Sequence, residues 1–270
     1  MVDSVGLGSS ANSALQGLKR TRQHTSQTDE RLSTGFRIND PLDGTQDLFA
    51  SQALTNQAAD LTQVKNQVGQ AISTIQVAGV GLNAINDLSD QARVVATQAR
   101  NTSDPTERAS LAEQFNQIRG QIDSIAANSS FGETNLIGSS PANLDVALNE
   151  DGDSLTVQGT DSTSAGLGIS SRTFGSDADI DAALVGISIA QTQIRSNSTS
   201  LSSSTSALQN RGDFTNNLTN TLERGATNVT QADLNEEAAS LLSLQTRQAL
   251  GSYSLTIATE NERAVLGLFG

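Results

Sequence analysis

The sequence predicts a mainly α protein, an elongated antiparallel helical bundle or coiled coil built from an N-terminal and a C-terminal arm, with a small β-hairpin-rich insert. Two long stretches repeat apolar residues every seven positions, a pattern typical of helices that pack an apolar stripe against other helices. Between them, one stretch alternates with a period of two, as half-buried strands do. Aromatic residues make up only 3% of the 270 residues, which suits helical rods better than a globular core.

The first long repeat lies between Leu54 and Ala92. Its leading row stands at intervals of seven and consists of Leu54, Leu61, Val68, Ile75 and Leu82. A second row begins three residues later and consists of Gln57, Val64, Ala71, Ala78, Ile85 and Ala92. No proline occurs between 46 and 100, so we expect one helix of roughly 80 Å at a rise of ~1.5 Å per residue. Other helices, from this chain or from neighbouring copies, must cover its apolar stripe.

The segments on either side of this rod carry helix and turn signals. Residues 1–33 keep a rough helical spacing of apolar residues but are polar, so the helix expected there is weak by itself. Residues 36–38 look extended, and residues 39–44 form a turn cluster before the rod. After the rod, Asp104 and Pro105 are suited to an N-cap and a first helical position. They predict a second amphipathic helix that ends near Asn128.

The insert occupies about residues 131–176. Residues 144–148 and 155–157 alternate with period two across a turn-like segment rich in Asn, Asp and Gly, which predicts a β-hairpin. The remainder is rich in Gly, Ser and Thr and is expected to be loop or irregular strand.

A second rod is predicted from about 178 to 223. Its heptad row consists of Ile180, Ile187, Ile194, Leu201, Leu208, Thr215 and Leu222. We expect the glycine-containing segment 224–228 to break this helix, and a last helix to run from about Gln231 to Leu266. The apolar end of the chain suggests assembly with other copies.

Composition and charge exclude several classes of protein. The net charge is -13, so nucleic acid is not an expected partner and an anionic membrane repels the chain. The chain has no cysteine, which removes disulfides and thiolate metal sites. No run of about 20 apolar residues is present, so we expect no membrane insertion. The N-terminus does not have the pattern of a secretory signal peptide, so export is expected to need no cleavage.

Two motifs near the ends of the chain identify a family. Residues 30–39 read Glu-Arg-Leu-Ser-Thr-Gly-Phe-Arg-Ile-Asn, and residues 232–240 read Ala-Asp-Leu-Asn-Glu-Glu-Ala-Ala-Ser. They resemble the N-terminal and C-terminal signatures of bacterial flagellin, and the Leu-Gly-Leu-Phe ending is similar as well. The resemblance covers about residues 1–138 and 178–270. The middle leaves no room for the large outer domains that many flagellins carry, so the chain resembles a short form.

The resemblance implies a structural subunit that self-assembles into the flagellar filament, outside the cell, for swimming motility. Residues 1–40 plus 229–270 would be an inner terminal-helix domain lining the channel, and 41–228 would be an outer helical bundle that includes the insert at 131–176. The implied partners are copies of the chain itself, hook-associated and cap proteins, the flagellar type III export apparatus, and an export chaperone that binds the C-terminal helix.

Three groups of residues are candidates for assembly. The first lies between two helices, where a spoke would join inner tube and outer bundle and contact a neighbouring subunit: Arg31, Phe36, Arg37, Asn39 and Asp40. The second is the bundle core: Leu54, Leu61, Val68, Ile75, Leu82, Ile180, Ile187, Ile194, Leu201 and Leu208. The third is the terminal assembly surface: Leu241, Leu244, Leu255, Val265, Leu268 and Phe269.

Catalytic, cofactor and metal sites are not expected. His24 is the single histidine, and it has no cysteine or paired acids nearby in the sequence. The acidic run at 150–153 lacks the ligand spacing of a calcium loop and suits a hairpin tip. We therefore expect no enzyme and no cofactor. The alternative functions are a hook–filament junction protein and, with less support, a filament-displayed adhesin or binding module.

Overall fold

The structure is a computed structural model that describes residues 9–149 and 152–269, without the side chains of residues 9, 10, 262 and 265–269. Its elements are α1 (Ser9–Thr34), α2 (Pro41–Asn101), α3 (Pro105–Asn128), β1 (Ser130–Phe131), β2 (Thr134–Asn135), β3 (Leu144–Ala147), β4 (Ser154–Val157), α4 (Asp177–Thr230) and α5 (Leu234–Phe269). The predicted fold class, a helical bundle with a small β insert, is confirmed.

The chain forms two compact units. The first, the terminal unit, consists of Met1–Asn56 and Thr221–Gly270, and the second, the bundle unit, consists of Gln57–Asn220. Both boundaries fall within long helices, α2 and α4. The sequence-based division placed them at 40/41 and 228/229, nearer to the ends of the chain. The assignment of inner and outer filament layers stays a prediction.

In the bundle unit, α2 and α4 are antiparallel and keep one register over a long distance. Three polar contacts join them: Lys65 Nζ with Asn216 Oδ1 at 2.9 Å, Gln191 Nε2 with Asp90 Oδ1 at 2.8 Å, and Arg100 Nε with Asp181 Oδ1 at 2.9 Å. In all three pairs the residue number on α4 decreases by as much as the residue number on α2 increases. From Lys65 to Arg100 this constant offset spans about 52 Å of helix.

The apolar rows meet along this contact and form the core of the bundle unit. Within the leading rows, nine positions are at most 6% exposed: Leu61, Val68, Ile75, Leu82, Ile180, Ile187, Ile194, Leu201 and Leu208. Leu54 belongs to the terminal unit and is half-buried, whereas Gln57 is exposed. Burying each Leu or Ile side chain is worth about 1.5–3 kcal/mol, so this core stabilises both rods.

Helix α2 also contains a window that is long and apolar enough, by length and composition alone, to cross a membrane. Many of the apolar side chains of this helix are buried against α3 and α4, as expected of a core helix. The absence of membrane insertion stays a prediction.

Helix α3 folds back on α2 as the sequence predicts. Asp104 accepts a hydrogen bond from the Thr106 amide at 2.9 Å and caps the helix, with Pro105 in its first turn. At the other end of α3, Ser129 lies against Gly81 of α2. Phe115 is fully buried and lies 5.3 Å from the Phe174 ring, centroid to centroid.

The insert contains the predicted hairpin. Strands β3 and β4 pair antiparallel with Leu144 opposite Val157, and β1 pairs with β2. Val146 and Val157 are 2% and 3% exposed, so one face of the hairpin belongs to the core. Arg211 of α4 donates to the Leu148 carbonyl at 2.7 Å through Nη2. Glu150 and Asp151 lie outside the described residues.

The prediction of a helix break at 224–228 is wrong, because α4 continues to Thr230. A Cβ at Gly225 would lie 3.4 Å from Leu54 Cδ1, and Ser51 donates to the Ala226 carbonyl at 3.1 Å. This packing against α2 outweighs the low helix propensity of glycine. The interruption lies instead at 231–233, and the Asp233 side chain caps α5 by accepting from the Asn235 amide at 2.9 Å.

The start of the first rod also differs from the prediction. Helix α2 begins at Pro41, inside the predicted turn cluster, and its backbone leaves helical geometry at Gly44, where φ is 172° and ψ is 87°. A Cβ at Gly44 would lie 2.8 Å from Ile38 Cδ1. The turn signal therefore marks a local interruption in the first turn of the helix.

In the terminal unit, α1 packs against α5. Ala11 and Leu18 are 0% and 7% exposed, and the Leu18 side chain approaches Gly251 of α5 closely. This tertiary contact explains how a polar segment that is a weak helix by itself becomes a helix of 26 residues.

Substitutions at two glycines of α2 can test how closely the C-terminal end of α3 packs against α2. A Cβ at Gly81 would lie 2.3 Å from Ser129 Oγ and 2.7 Å from Ile137 Cδ1, whereas a Cβ at Gly79 would meet nothing within 4 Å. We expect Gly81→Ala to lower the free energy of unfolding by about 1–3 kcal/mol through overpacking.

The matched control, Gly79→Ala, should raise that free energy by roughly 0.5–1 kcal/mol, because alanine favours the helix. Urea unfolding of the monomer, followed by circular dichroism, measures both. Equal stability of the two variants would contradict the close packing at Gly81.

Candidate functional site

The connector between α1 and α2, residues 35–40, lies alongside the junction of α4 and α5. Phe36 forms an antiparallel bridge with Gln231. The Arg37 amide donates to the Thr230 carbonyl at 2.7 Å, and the Ala232 amide donates to the Gly35 carbonyl at 3.0 Å. Backbone hydrogen bonds therefore join the two interhelical segments of the terminal unit.

Arg31 lies in the last turn of α1 and not between two helices as predicted, whereas Arg37 lies in the connector. Both arginines are paired within the chain. Arg31 Nη1 lies 3.2 Å from Glu237 Oε1, and their side chains are 30% and 14% exposed. Arg37 Nη2 lies 3.1 Å from Asp47 Oδ2 and donates to the Val229 carbonyl at 3.1 Å. The pairing of these arginines with a neighbour's carboxylate stays a prediction, and it would have to compete with these contacts.

The other candidate residues of the connector are placed by local hydrogen bonds. The amides of Asn39 and Asp40 both donate to Asp43 Oδ2 at 3.2 Å, and Asn39 Nδ2 donates to the Phe36 carbonyl at 3.1 Å. The Phe36 side chain is 41% exposed, while Ile38 is 4% exposed. Phe36 is thus the apolar side chain that the connector leaves on the surface.

The predicted terminal assembly residues are only partly described. Leu241, Leu244 and Leu255 are half-buried along α5. The side chains of Val265, Leu268 and Phe269 lie outside the described residues.

A second apolar stripe on α5 was missed by the sequence reasoning. Its members are between 59% and 69% exposed: Leu242, Leu250, Tyr253 and Ile257. Leu250, Tyr253 and Ile257 are spaced by three and then four residues, and this helical spacing could have revealed the stripe. Helix α5 is therefore apolar on the side that packs on α1 and also on a side that remains exposed, as expected of a surface that binds other copies.

One end of the bundle unit holds a network of ion pairs that the sequence reasoning also missed. The nitrogen–oxygen pairs are Arg100–Asp177 at 2.8 Å, Arg100–Asp181 at 2.9 Å, Arg108–Asp177 at 2.6 Å and Arg172–Asp179 at 3.1 Å. The first three connect the end of α2 and the start of α3 to the first turn of α4. Carboxylates in that first turn also interact favourably with the helix dipole.

The pKa shifts follow from these contacts. The hydrogen bond from Arg108 holds the pKa of Asp177 below its ordinary value, against the effect of burial. At Asp179, burial acts to raise the pKa, but hydrogen bonds from Arg172 and from two backbone amides, those of Phe174 and Thr173, lower it overall. Both carboxylates are therefore stabilised in their charged form.

The candidates for metal binding or catalysis are only partly described, since Glu150 and Asp151 of the acidic run lie outside the described residues. His24 is exposed on α1. Across residues 9–149 and 152–269, no group of three or more His, Cys, Asp or Glu side chains has the arrangement of a metal site.

Comparisons with known proteins agree with this architecture. The family model described as the bacterial flagellin N-terminal helical region matches residues 8–140. The chain is 30% identical to flagellin FljM of Caulobacter vibrioides over 99% of both chains. It is 25% identical to a flagellin of Brucella melitensis over 98% of this chain and 99% of that one. The crystal structure of Bacillus cereus flagellin, at 21% identity and a TM-score of 0.50, covers 55% of this chain and 88% of its own length and shares the fold.

The ion pairs predict acid sensitivity. Because the pKa of Asp177 is lower in the folded chain than in the unfolded chain, its contribution to stability is present above the unfolded pKa of about 3.9 and is lost as the pH falls through the folded pKa. We expect Asp177→Asn to lower stability at pH 7 and to weaken the decline below pH 4.

Urea midpoints measured from pH 7 to pH 2.5 check this expectation. Asp213→Asn, on the same helix, is the control, since Asp213 has no ion-pair partner within the described ranges. Parallel pH curves for Asp177→Asn and the unmodified chain would contradict the assigned role.

Proposed function

The chain belongs to the bacterial flagellin family, and on that premise we propose that residues 1–40 and 229–270 line the channel of the flagellar filament while residues 41–228 form the surrounding helical bundle. The chain itself is a structural subunit of the filament, which lies outside the cell and serves motility. The observation that carries the proposal is the pairing of α1 with α5, which brings the two ends of the chain into one unit.

Self-association through the terminal unit is supported by exposed apolar surface. Helix α5 uses one side against α1 and leaves Leu250, Tyr253 and Ile257 exposed on another. Burial of these side chains against a neighbouring copy would contribute about 25 cal/mol to the free energy of association for each Å² of apolar surface buried. Leu241, Leu244 and Leu255 are half-buried along α5 and would complete the assembly surface in this proposal.

The connector is proposed to act as the spoke between the two layers. Arg31 and Arg37 fix its geometry through Glu237 and Asp47, and Phe36 stays exposed for contact with a neighbouring subunit. Asn39 and Asp40 define how the chain enters α2 through Asp43. In this proposal the main role of the two arginines is to position Phe36. Ion pairs with carboxylates of another copy are their secondary role.

Export and capping partners belong to the same proposal. The chain would leave the cell through the flagellar export apparatus, and a chaperone would cover the apolar surface of α5 before export. Hook-associated and cap proteins would meet the ends of the filament. The exposed stripe of α5 supports the need for a chaperone, because an uncovered apolar surface favours premature association.

The mechanism is packing and not catalysis. Flagellins are structural proteins, and we infer that this chain has no enzymatic activity. The hook–filament junction protein and the displayed adhesin gain no specific support, since the curated relatives that match this chain along its whole length are flagellins. A filament subunit is the function that the fold and the family support best.

The spoke can be tested with Arg31→Ala combined with Arg37→Ala. Loss of the contacts to Glu237 and Asp47 should loosen the connector, so filaments should depolymerise at a lower temperature and change their curvature. Hydrogen bonds that involve a charged group are worth about 1.5–3 kcal/mol each, and the partly exposed sites here reduce that value. Electron microscopy and light scattering during heating measure both properties.

Arg224→Ala is the control, because Arg224 is exposed in the same unit and has no ion-pair partner in the part of the chain that the structure describes. If the double variant forms filaments with unchanged stability and curvature, the connector does not act as a spoke.

A further inference from the structure

Charge is distributed unevenly along the terminal helices. The chain carries a net charge of -13, yet residues 4–28 and 238–259 contain no aspartate or glutamate. These two acid-free spans contain four basic residues, here called the basic belt: Lys19, Arg20, Arg22 and Arg247. All four are exposed.

The antiparallel pairing of α1 and α5 brings the belt to one level of the helix pair. Two contacts set the alignment: Leu18 Cδ1 would lie 3.5 Å from a Cβ at Gly251, and Arg31 pairs with Glu237. Arg247 follows Glu237 by ten residues, and so it lies opposite the position ten residues before Arg31. That position is within one helical turn of the three basic residues on α1.

Within residues 9–149 and 152–269, no acidic side chain neutralises the belt, since no carboxylate there lies within ion-pair distance of any of the four cations. Along α1 the next acid after Arg22 is Asp29, about 10 Å further along the helix axis. Four like charges this close repel one another unless opposite charge is supplied from outside the subunit.

The opposite charge is found at one end of the same helix pair. The acidic end, as we call it, consists of five carboxylates: Asp29, Glu30, Asp233, Glu236 and Glu237. Glu237 pairs with Arg31 and Asp233 caps α5, whereas Asp29, Glu30 and Glu236 are exposed and form no ion pair within the described ranges. Belt and acidic end are complementary in sign, but their separation along the axis prevents them from meeting in one subunit.

We propose that the basic belt of one subunit binds the acidic end of the terminal helix pair of a neighbouring subunit, and that this contact selects the stagger between copies. The inference rests on the proposed placement of the terminal helices inside the filament. A second copy is favoured over other anionic partners because nucleic acid and anionic membranes are repelled by the chain as a whole. The exposed stripe of α5 adjoins the belt, so burial of that stripe would also strengthen the ion pairs by excluding water.

The belt is tested by the double variant Lys19→Glu with Arg22→Glu. Like charges placed opposite each other across an interface cost several kcal/mol, so the critical concentration for seeded polymerisation should rise by about tenfold or more. Lys19→Gln with Arg22→Gln removes the charge without reversing it and should give a smaller rise. Circular dichroism of the monomers should be unchanged, because these side chains have no ion-pair partner among the residues that the structure describes.

The partner is tested by charge exchange. Asp29→Lys and Glu30→Lys are added to the variant Lys19→Glu with Arg22→Glu. Every subunit then carries glutamates in the belt and lysines at the acidic end, so polymerisation should be restored. These lysines lie near the C-terminal end of α1, where positive charge is favourable, so the exchange does not harm the helix. Arg195→Glu with Arg224→Glu changes the net charge equally at exposed sites outside the belt and should have a much smaller effect.

Each outcome bears on one claim. Failure of the unmodified chain to polymerise would contradict the proposed function itself. Normal polymerisation of both belt variants would overturn the belt contact while the filament function stands. A belt variant that polymerises poorly and is not restored by the charge exchange would overturn the acidic end as the partner.

Discussion

The antiparallel register of α2 and α4 is the constraint on which the bundle unit depends. Polar contacts at Lys65, Asp90 and Arg100 keep one offset along the pair, and the heptad rows are buried between those contacts. Helix α3 and the hairpin then cover the apolar surface that two helices leave open. A shift of either rod would expose its Leu and Ile rows and separate the ion pairs at the end of the bundle. We expect that coupling to stiffen the bundle unit.

The terminal unit is built differently. Helix α1 is more polar than the rods α2 and α4, whereas α5 is apolar and keeps apolar side chains on the surface. Its charges are also segregated, with basic residues in the middle of the helix pair and acidic residues at one end. The bundle unit buries its heptad rows within one subunit, although side chains such as Val80 and Val185 stay exposed. The terminal unit combines exposed apolar side chains with segregated charge on one helix pair. This difference separates folding, which the bundle unit stabilises, from assembly, which we assign to the terminal unit.

Much of this fold could be predicted because periodicity and capping are local properties. The heptad rows, the cap at Asp104 and the alternating strands each depend on neighbours in sequence, and their elements formed where expected. The continuity of α4 could not be predicted, since Gly225 is kept helical by Leu54 and Ser51, which are distant in sequence. The intrachain partners of Arg31 and Arg37 were equally hidden, because a motif shows that an arginine is present but not which carboxylate it meets. The stripe at Leu250 was visible in the spacing and was overlooked.

The most direct measurement is an electron cryo-microscopy reconstruction of filaments grown from short seeds and purified full-length chain. On the proposed arrangement, we expect hollow filaments whose innermost layer is the α1–α5 pair, with the bundle of α2, α3 and α4 outside it. Filaments in which that bundle lines the channel, or a chain that stays soluble in the presence of seeds, would contradict it.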